Sequence, residues 1–114
     1  RHMHPQADGQ ENSQELKAAM YPGYCEIEIV NDSDQYLTVY GDFDDQTSLS
    51  PFNIYAYESP HYISLFYYNY CHDGMYVYIT SNGYPIYSGY TATGTMIHIV
   101  SYLKNQLKAE IHGK

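Results

Sequence analysis

The stretch MYVYITSNGYPIYSGYT, residues 75–91, decides the fold of this chain. Met75, Val77 and Ile79 alternate with Tyr76 and Tyr78, and a period of two is typical of a β-strand with one buried face. An Asn-Gly dipeptide follows, which favours the tight turn of a β-hairpin. The stretch therefore predicts two antiparallel strands, with aliphatic side chains on one face of the first strand and tyrosines on the other.

The same alternation extends outward in both directions from this hairpin. Strands are predicted near residues 24–30, 36–40, 52–57, 61–68, 75–79, 86–91 and 95–100. The segment 61–68 is apolar on both faces, which predicts a central strand. Residues 104–112 fit an eighth strand, although Leu103, Leu107 and Ile111 also fit one face of a helix. The prediction is an all-β fold, an antiparallel immunoglobulin-like β-sandwich of seven or eight strands that lacks the Cys-Trp-Cys signature of immunoglobulin domains.

The N-terminal region has a different character. We assign residues 1–20 to a tail and residues 21–114 to a single β-sandwich domain. Residues 1 to about 12 are polar and irregular, which predicts disorder. Asn12 and Glu15 form a capping-box pattern, and the Leu-Lys-Ala-Ala run that follows favours a short helix up to Met20.

The chain has two cysteines, Cys25 and Cys71. If every connection reverses the chain, the start of the first strand and loops 42–51, 68–74 and 91–94 lie at one end of the sandwich. Turns 31–34, 58–60 and 81–84 then lie at the other end. Both cysteines fall at the first end, so we predict a disulfide worth about 4 kcal/mol, as is typical of an exported protein. A pair of free thiols in a cytosolic protein is the alternative.

Charge is distributed unevenly along the sequence. Residues 18–103 contain no Lys or Arg but hold all 16 tyrosines, and the net charge of the chain is −8. A body without fixed positive charge is unsuited to a phosphate backbone, a nucleotide or an anionic membrane. No apolar run is long enough to predict a transmembrane helix. The composition therefore predicts proteins or neutral glycans as partners, and neither nucleic acid nor anionic membrane.

Tyrosines occupy the face opposite the aliphatic residues in three of the predicted strands. Tyrosine suits a pleated surface by its β-propensity alone, and that is one interpretation. The other is a recognition face, because tyrosine offers rigid amphipathic area at low entropic cost and can stack on sugar rings. The candidate binding residues are Tyr36, Tyr40, Tyr55, Tyr57, Tyr76 and Tyr78.

Acidic residues cluster in the predicted loops. Asp42, Asp44 and Asp45 are close in sequence. If every connection reverses the chain, Asp73 lies at the same end of the sandwich as these three aspartates. Calcium takes about six to eight oxygen ligands, so these four aspartates are candidate calcium ligands, and a solvated acidic loop is the alternative. The spacing lacks the EF-hand pattern, and the histidines of the body have no metal-ligand spacing. No other cofactor is predicted.

Common catalytic motifs are missing from the sequence. We find no Gly-x-Ser-x-Gly, no His-Glu-x-x-His, no P-loop and no dinucleotide fingerprint. The chain is therefore predicted not to be an enzyme. A small glycoside hydrolase stays open as an alternative, because that chemistry needs only a suitably placed pair of carboxylates.

The charge pattern also predicts a response to pH. Carboxylates that are crowded without cations should repel one another, and this repulsion should raise their pKa values in the folded protein. A raised carboxylate pKa would make mild acid stabilising.

Four segments of the chain resemble small exported β-sandwich proteins of Gram-negative intracellular bacteria: IVNDS (29–33), LTVYG (37–41), PFNIY (51–55) and GMYVYI (74–79). The resemblance covers about residues 24–100. It implies a secreted or periplasmic protein directed at a host, and it implies no catalytic residues. Together with the composition, it predicts an exported non-enzymatic protein that binds a glycan or a partner protein through tyrosine-rich strand faces or end loops. A calcium- or metal-dependent module is the alternative.

Overall fold

The structure, a computed structural model, describes residues 1–7 and 25–113 of the chain. These residues form two four-stranded sheets and a small two-stranded hairpin, which confirms the predicted all-β sandwich. No helix among them is long and apolar enough to cross a bilayer. The strands are β1 (Glu26–Asp32), β2 (Leu37–Phe43), β3 (Phe52–Ile54), β4 (His61–Ser64), β5 (Phe66–Tyr67), β6 (Tyr70–Cys71), β7 (Gly74–Ser81), β8 (Tyr84–Ala92), β9 (Met96–Leu103) and β10 (Gln106–His112).

The first sheet has the strand order β10-β9-β1-β4, and the second has the order β3-β2-β7-β8. Neighbouring strands are antiparallel, as predicted, except that β1 and β9 run parallel with Ile29 opposite Ile97. The exception follows from the parity of the connections. Both strands start at the end of the sandwich that carries Cys25 and the turn at 91–94, so they must point the same way when they pair.

The core between the sheets is built from the aliphatic half of each alternating strand. Burial of one such side chain contributes about 1.5–3 kcal/mol. Because successive side chains of a strand point to opposite faces, the other half of each strand is left on an outer surface. The fully buried aliphatic residues are Ile27, Ile29, Leu37, Val39, Ile54, Ile63, Leu65, Val77, Ile79, Ile97 and Ile99.

The predicted disulfide between Cys25 and Cys71 is present, with 5.6 Å between the two Cα atoms. Cys25 immediately precedes β1, and Cys71 ends β6. At the same end of the sandwich, the amide of Gly94 donates a hydrogen bond of 2.8 Å to the carbonyl of Glu26. The assignment of both cysteines and the 91–94 turn to one end is therefore confirmed.

The predicted disorder of the N-terminal tail is wrong for residues 1–7. The backbone of His2 donates a hydrogen bond to the Tyr62 carbonyl at 2.8 Å and accepts one from the Ser64 amide at 2.7 Å. Residues 61–68 are not a central strand, because they divide into β4 and β5 and β4 is at the edge of its sheet. The N-terminal segment covers that edge. The predicted helix over residues 12–20 lies outside the described residues.

A buried aromatic cluster anchors the N-terminal segment to the body. His4 stacks on Tyr67 with 4.1 Å between ring centroids, and His72 stacks on the same ring at 3.6 Å. Burial raises the pKa of Tyr67 to about 12. The Nε2 atom of His4 also lies 2.9 Å from Oδ2 of Asp45. This cluster joins the N-terminal segment to β5 and to the acidic loop that follows β2.

At the opposite end, Asn31 ties the two sheets together. Its buried side-chain amide donates hydrogen bonds to the carbonyls of Gln35, Ile54 and Tyr55 at 2.7, 3.2 and 3.1 Å. Its Oδ1 atom accepts a hydrogen bond of 2.6 Å from the Ser33 hydroxyl. Asn31 belongs to β1 in the first sheet and Ile54 ends β3 in the second, so this side chain holds the end of β3 in place.

The C-terminal region is a strand, and the helical alternative for residues 104–112 is wrong. β10 pairs with β9 in antiparallel register, with Ala109 opposite Ile99. Leu107 and Ala109 pack against the core. The intervening Lys108 and Glu110 therefore face outward, on the far side of the first sheet.

Candidate binding face

The outer surface of the second sheet is covered by tyrosines from adjacent strands. In the register of this sheet, Tyr40 lies opposite Tyr78, and Tyr76 lies between Asp42 and Tyr90. Tyr76 is exposed over 45% of its surface and Tyr40 over 40%, whereas Tyr78 is half-buried. We call this surface the tyrosine face; it consists of Tyr36, Tyr40, Tyr55, Tyr76, Tyr78 and Tyr90.

Neighbouring rings on the tyrosine face hold one another in place. The rings of Tyr36 and Tyr55 stack at an interplanar angle of 20° with 5.8 Å between their centroids. The cross-strand pair Tyr40 and Tyr78 has a centroid distance of 5.7 Å at 35°. Aromatic pairs at such distances contribute about 0.5–1.5 kcal/mol beyond the burial of their area. These contacts connect four of the six rings of the face in pairs.

Tyr57 departs from the prediction that placed it on a strand with Tyr55. β3 ends at Ile54, and the Glu58 amide donates a hydrogen bond of 3.1 Å to the Tyr55 carbonyl, which closes a turn. Tyr57 sits in this turn with a φ of +56°, exposed over 64% of its surface. Five of the six predicted tyrosines thus share one sheet face, and Tyr57 lies on an end loop.

The tyrosine hydroxyls divide into two groups. The Tyr76 hydroxyl lies 2.6 Å from Ser88 Oγ, and the Tyr90 hydroxyl donates to the Asp44 carboxylate at 3.1 Å. For the other four hydroxyls of the tyrosine face and for that of Tyr57, no hydrogen bond to another described residue is found, so these five hydroxyls are available to a ligand. These are the hydroxyls of Tyr36, Tyr40, Tyr55, Tyr57 and Tyr78.

Tyr90 is a member of the face that the sequence prediction did not include. A two-residue hairpin at Asn82-Gly83 would place Gly89 opposite Tyr76 and turn Tyr90 toward the core. A register shift between Ile79 and Thr80 moves β8 by one residue, so that Tyr90 lies beside Tyr76 instead. Partial desolvation and the Asp44 carboxylate raise the pKa of Tyr90. Alternation within β8 alone contains no signal for this shift.

Asp45, a predicted calcium ligand, already has partners inside the protein. Its carboxylate accepts a hydrogen bond of 3.0 Å from the Thr47 amide and one of 3.2 Å from the Tyr68 hydroxyl, and the His4 ring lies 2.9 Å away. Although partial desolvation opposes them, the Thr47 and His4 contacts lower the pKa of Asp45 to about 2. The prediction of a raised pKa is wrong for this carboxylate.

Glu58 shows the same effect at the opposite end of the sandwich. It accepts a hydrogen bond of 2.7 Å from the Tyr55 amide, and Nε2 of His61 lies 2.7 Å from its other oxygen. The Tyr55 N–H, followed by His61, lowers the pKa of Glu58. Backbone N–H groups and histidines therefore take the place of the missing cations, which the repulsion argument did not consider.

The remaining candidate calcium ligands do not converge on one point. Asp42 accepts a hydrogen bond of 3.2 Å from the Ser48 hydroxyl, whereas Asp44 accepts from Tyr90. Asp73 is fixed through its backbone carbonyl, which accepts from the Thr93 amide. Among the described residues, a group of three side chains whose metal-ligating atoms all lie within 4.8 Å of one another is found elsewhere, at His98, Glu110 and His112, and the four aspartates form no such group.

Comparison with known proteins leaves the site to be interpreted from its own chemistry. Protein-family models, curated proteins and solved structures gave no match to this chain.

Proposed function

We propose that this protein is an exported, non-enzymatic binding module that holds a partner on its tyrosine face. The observation that carries the proposal is the row of exposed, mutually packed rings on the outer surface of the second sheet. Large exposed aromatic area is characteristic of recognition surfaces, where tyrosine is enriched. The export of the protein is supported by the Cys25–Cys71 disulfide.

The charge of the face favours a basic protein surface as the partner. Asp42 lies in the same outer row as Tyr76, and Asp44 accepts a hydrogen bond from Tyr90. The strands of the second sheet contain no Lys or Arg. Lys or Arg side chains of a partner can lie over tyrosine rings and also pair with these carboxylates.

A neutral glycan is the second candidate partner, and two observations favour it. The rings of Tyr36 and Tyr55 are nearly parallel, and the hydroxyls of both lack a hydrogen-bond partner within the described residues. Tyrosine combines an apolar ring face with a polar hydroxyl, which suits the alternating apolar faces and hydroxyl groups of a sugar.

The experiment compares the intact face with a weakened one. Immobilised protein is probed with a neutral-glycan array and with an array of Lys- and Arg-rich peptides, using wild type and the Tyr40→Thr/Tyr55→Thr double variant. Threonine keeps β-propensity while it removes the rings. We expect specific binding to one array that the double variant lowers by at least roughly tenfold, since one aromatic hot spot is typically worth about 2 kcal/mol.

Tyr102→Thr is the matched control. Tyr102 is similarly exposed, but it belongs to β9 in the first sheet. This variant should bind like wild type. Equal loss in the control and in the double variant, or no binding to either array, would contradict the proposal.

Two other functions stay as alternatives with tests of their own. A calcium-dependent module built on Asp42, Asp44, Asp45 and Asp73 would require these carboxylates to leave their present separate partners and move together, and its test is that calcium raises the melting temperature and that EDTA reverses the effect. A small glycoside hydrolase requires turnover of chromogenic glycosides that is lost when one carboxylate is replaced.

A further inference from the structure

Three metal-ligating side chains meet on the outer surface of the first sheet. The register of the β9–β10 pair places His98 directly opposite Glu110. His112 lies two residues beyond Glu110 and therefore on the same face of β10. Metal-ligating atoms of the three side chains all lie within 4.8 Å of one another. This group is separate from the tyrosine face, which lies on the other sheet.

The distances within the group suit a metal better than direct hydrogen bonds. Nδ1 of His98 lies 3.5 Å from Oε1 of Glu110, and Nε2 of His112 lies 3.9 Å from the same oxygen. Good hydrogen bonds between nitrogen and oxygen are about 2.7–3.2 Å long. Tetrahedral zinc with bonds of about 2.0–2.1 Å holds its ligand atoms about 3.3 Å apart, so a small inward adjustment would suffice.

The second ring nitrogen of His98, Nε2, already has a carboxylate partner of the kind that metal-bound histidines commonly have. Nε2 of His98 lies 3.2 Å from Oδ2 of Asp32, at the end of β1. A proton on Nε2 satisfies this contact and leaves the lone pair of Nδ1 directed at Glu110. Metal-bound histidines commonly donate their second N–H to a carboxylate in this way, which fixes the tautomer and the orientation of the ring.

The donor set selects a class of metal. Two imidazole nitrogens and one carboxylate oxygen are typical ligands of zinc and neighbouring transition metals, whereas calcium and magnesium prefer oxygens throughout. Oε2 of Glu110 lies 3.8 Å from Nζ of Lys108, so its Oε1 is the oxygen directed at the histidines. Three protein ligands on a partly exposed surface leave a fourth position for water or a partner group.

We propose that His98, Glu110 and His112 form a transition-metal site of the zinc type, with Asp32 orienting His98. The site is independent of the proposed binding function of the tyrosine face. Glu110 and His112 are two residues apart in the sequence, but the sequence does not show that His98 joins them, because that contact is made across two strands.

The test is titration of the purified full chain with Zn²⁺ by calorimetry and with Co²⁺ by visible absorption. We expect one site per chain and the intense visible bands of four-coordinate cobalt. His98→Gln, Glu110→Gln and His112→Gln should each weaken binding by roughly a hundredfold. Asp32→Asn should weaken binding by about ten- to a hundredfold, since partners of this kind tune the ligand.

The chain offers a matched control in a second histidine–carboxylate group. Nε2 of His61 lies 2.7 Å from Oε2 of Glu58, and its Nδ1 lies 2.9 Å from Nε2 of His2. These contacts form a chain of direct hydrogen bonds and not three ligands around one point. His61→Gln should therefore leave zinc affinity unchanged, and circular dichroism without metal should show that all variants are folded.

Two results would overturn the proposal. One is the absence of zinc binding by folded wild-type protein at micromolar metal. The other is zinc binding that survives His98→Gln and His112→Gln; its loss in His61→Gln would then place the metal at the N-terminal segment.

Discussion

The two outer surfaces of this sandwich are built on the same kind of core but carry opposite chemistry. On the second sheet, cross-strand neighbours are tyrosines, such as Tyr40 and Tyr78. On the first sheet, cross-strand neighbours are titratable groups, such as His98 and Glu110, with Lys108 close by. Both inner faces consist mainly of Ile, Leu and Val. The inward-facing aliphatic residues of the strands therefore determine the fold, and the outward-facing residues can differ in chemistry between the two sheets.

The difference predicts different sensitivities for the two surfaces. Aromatic pairs are stabilised by the burial of their surface and by the geometry of the rings, so salt should change their contribution to stability little. Exposed ion pairs such as Lys108 with Glu110 are screened by salt and contribute little to stability. The ends of the sandwich, where the two sheets are joined, should be more sensitive than either surface.

The largest effect is expected at the disulfide end. The Cys25→Ser/Cys71→Ser double variant should lower the free energy of unfolding by about 4 kcal/mol, because the open chain gains conformational entropy when it unfolds. Urea denaturation with and without a reducing agent measures this loss. A reductant that destabilises wild type but leaves the double variant unchanged identifies the disulfide as the cause. A loss below about 1 kcal/mol would show that the hydrogen bonds at this end suffice.

The next largest effect is expected at the opposite end, at Asn31. Asn31→Ala leaves the buried carbonyl of Ile54 and the partly buried carbonyl of Tyr55 without this donor and should cost about 1–3 kcal/mol. The change also frees the end of β3, so the packing of Tyr55 on Tyr36 should loosen. Urea unfolding monitored by tyrosine fluorescence measures the stability. Asn53→Ala is the control, because Asn53 faces outward in β3 and pairs there with the Thr38 hydroxyl.

A smaller effect is expected from pH, and its sign is opposite to the one that the charge pattern predicts. Burial, followed by nearby positive charge, lowers the pKa of His2 from 6.5 to about 4. Between these values the unfolded chain binds more protons than the folded one, so stability falls as pH falls from about 6.5 to 4. Asp45, with its pKa lowered to about 2, adds a further loss below about pH 4. Melting temperature should therefore decrease steadily from pH 7 to pH 3.

Replacement of His2 separates its contribution to the pH dependence of stability from the contribution of the carboxylates. His2→Gln should flatten the melting temperature between pH 6.5 and about 4.5 and leave the decrease at lower pH in place, since that decrease belongs to Asp45 and Glu58, whose pKa values are both lowered in the folded protein. A melting temperature that rises from pH 7 to pH 5 in wild type would restore the original expectation that carboxylate repulsion dominates.

A still smaller effect is expected within the tyrosine face. A double-mutant cycle with Tyr40→Ala and Tyr78→Ala should give a coupling free energy of about 0.5–1 kcal/mol, because the rings contact each other across the strands. The coupling should be the same in low and high salt. A coupling that disappears in 1 M salt would indicate that electrostatics, and not ring packing, joins these two residues.

The fold could be predicted because its determinants are local. The alternation of Ile27 and Ile29, or of Val77 and Ile79, requires only a period of two, and strand parity then places Cys25 and Cys71 at one end. The six candidate tyrosines also follow from alternation, apart from Tyr57, whose strand is ended by the Glu58 carboxylate.

Other features of the candidate sites could not be predicted, because they depend on strand register and on long-range contacts. The bulge between Ile79 and Thr80 turns Tyr90 outward, and no residue pattern marks a one-position shift. His98 and Glu110 meet across two strands whose pairing was itself uncertain at the sequence level. His4 reaches its buried place between β5 and the acidic loop through long-range contacts, which composition does not reveal.

The smallest effect is expected for the single ion pair on the first sheet. Lys108→Met removes the 3.8 Å contact with Glu110 and the approach of Nζ to the Tyr102 ring at 5.8 Å, and it should change stability by less than about 0.5 kcal/mol. That change should vanish at high salt, because Lys108 is exposed and Glu110 is partly exposed. Urea unfolding at two salt concentrations measures it. A loss above about 1 kcal/mol that persists in salt would mean that the charged surface is held together as firmly as the tyrosine face, and the two surfaces would then differ in chemistry but not in rigidity.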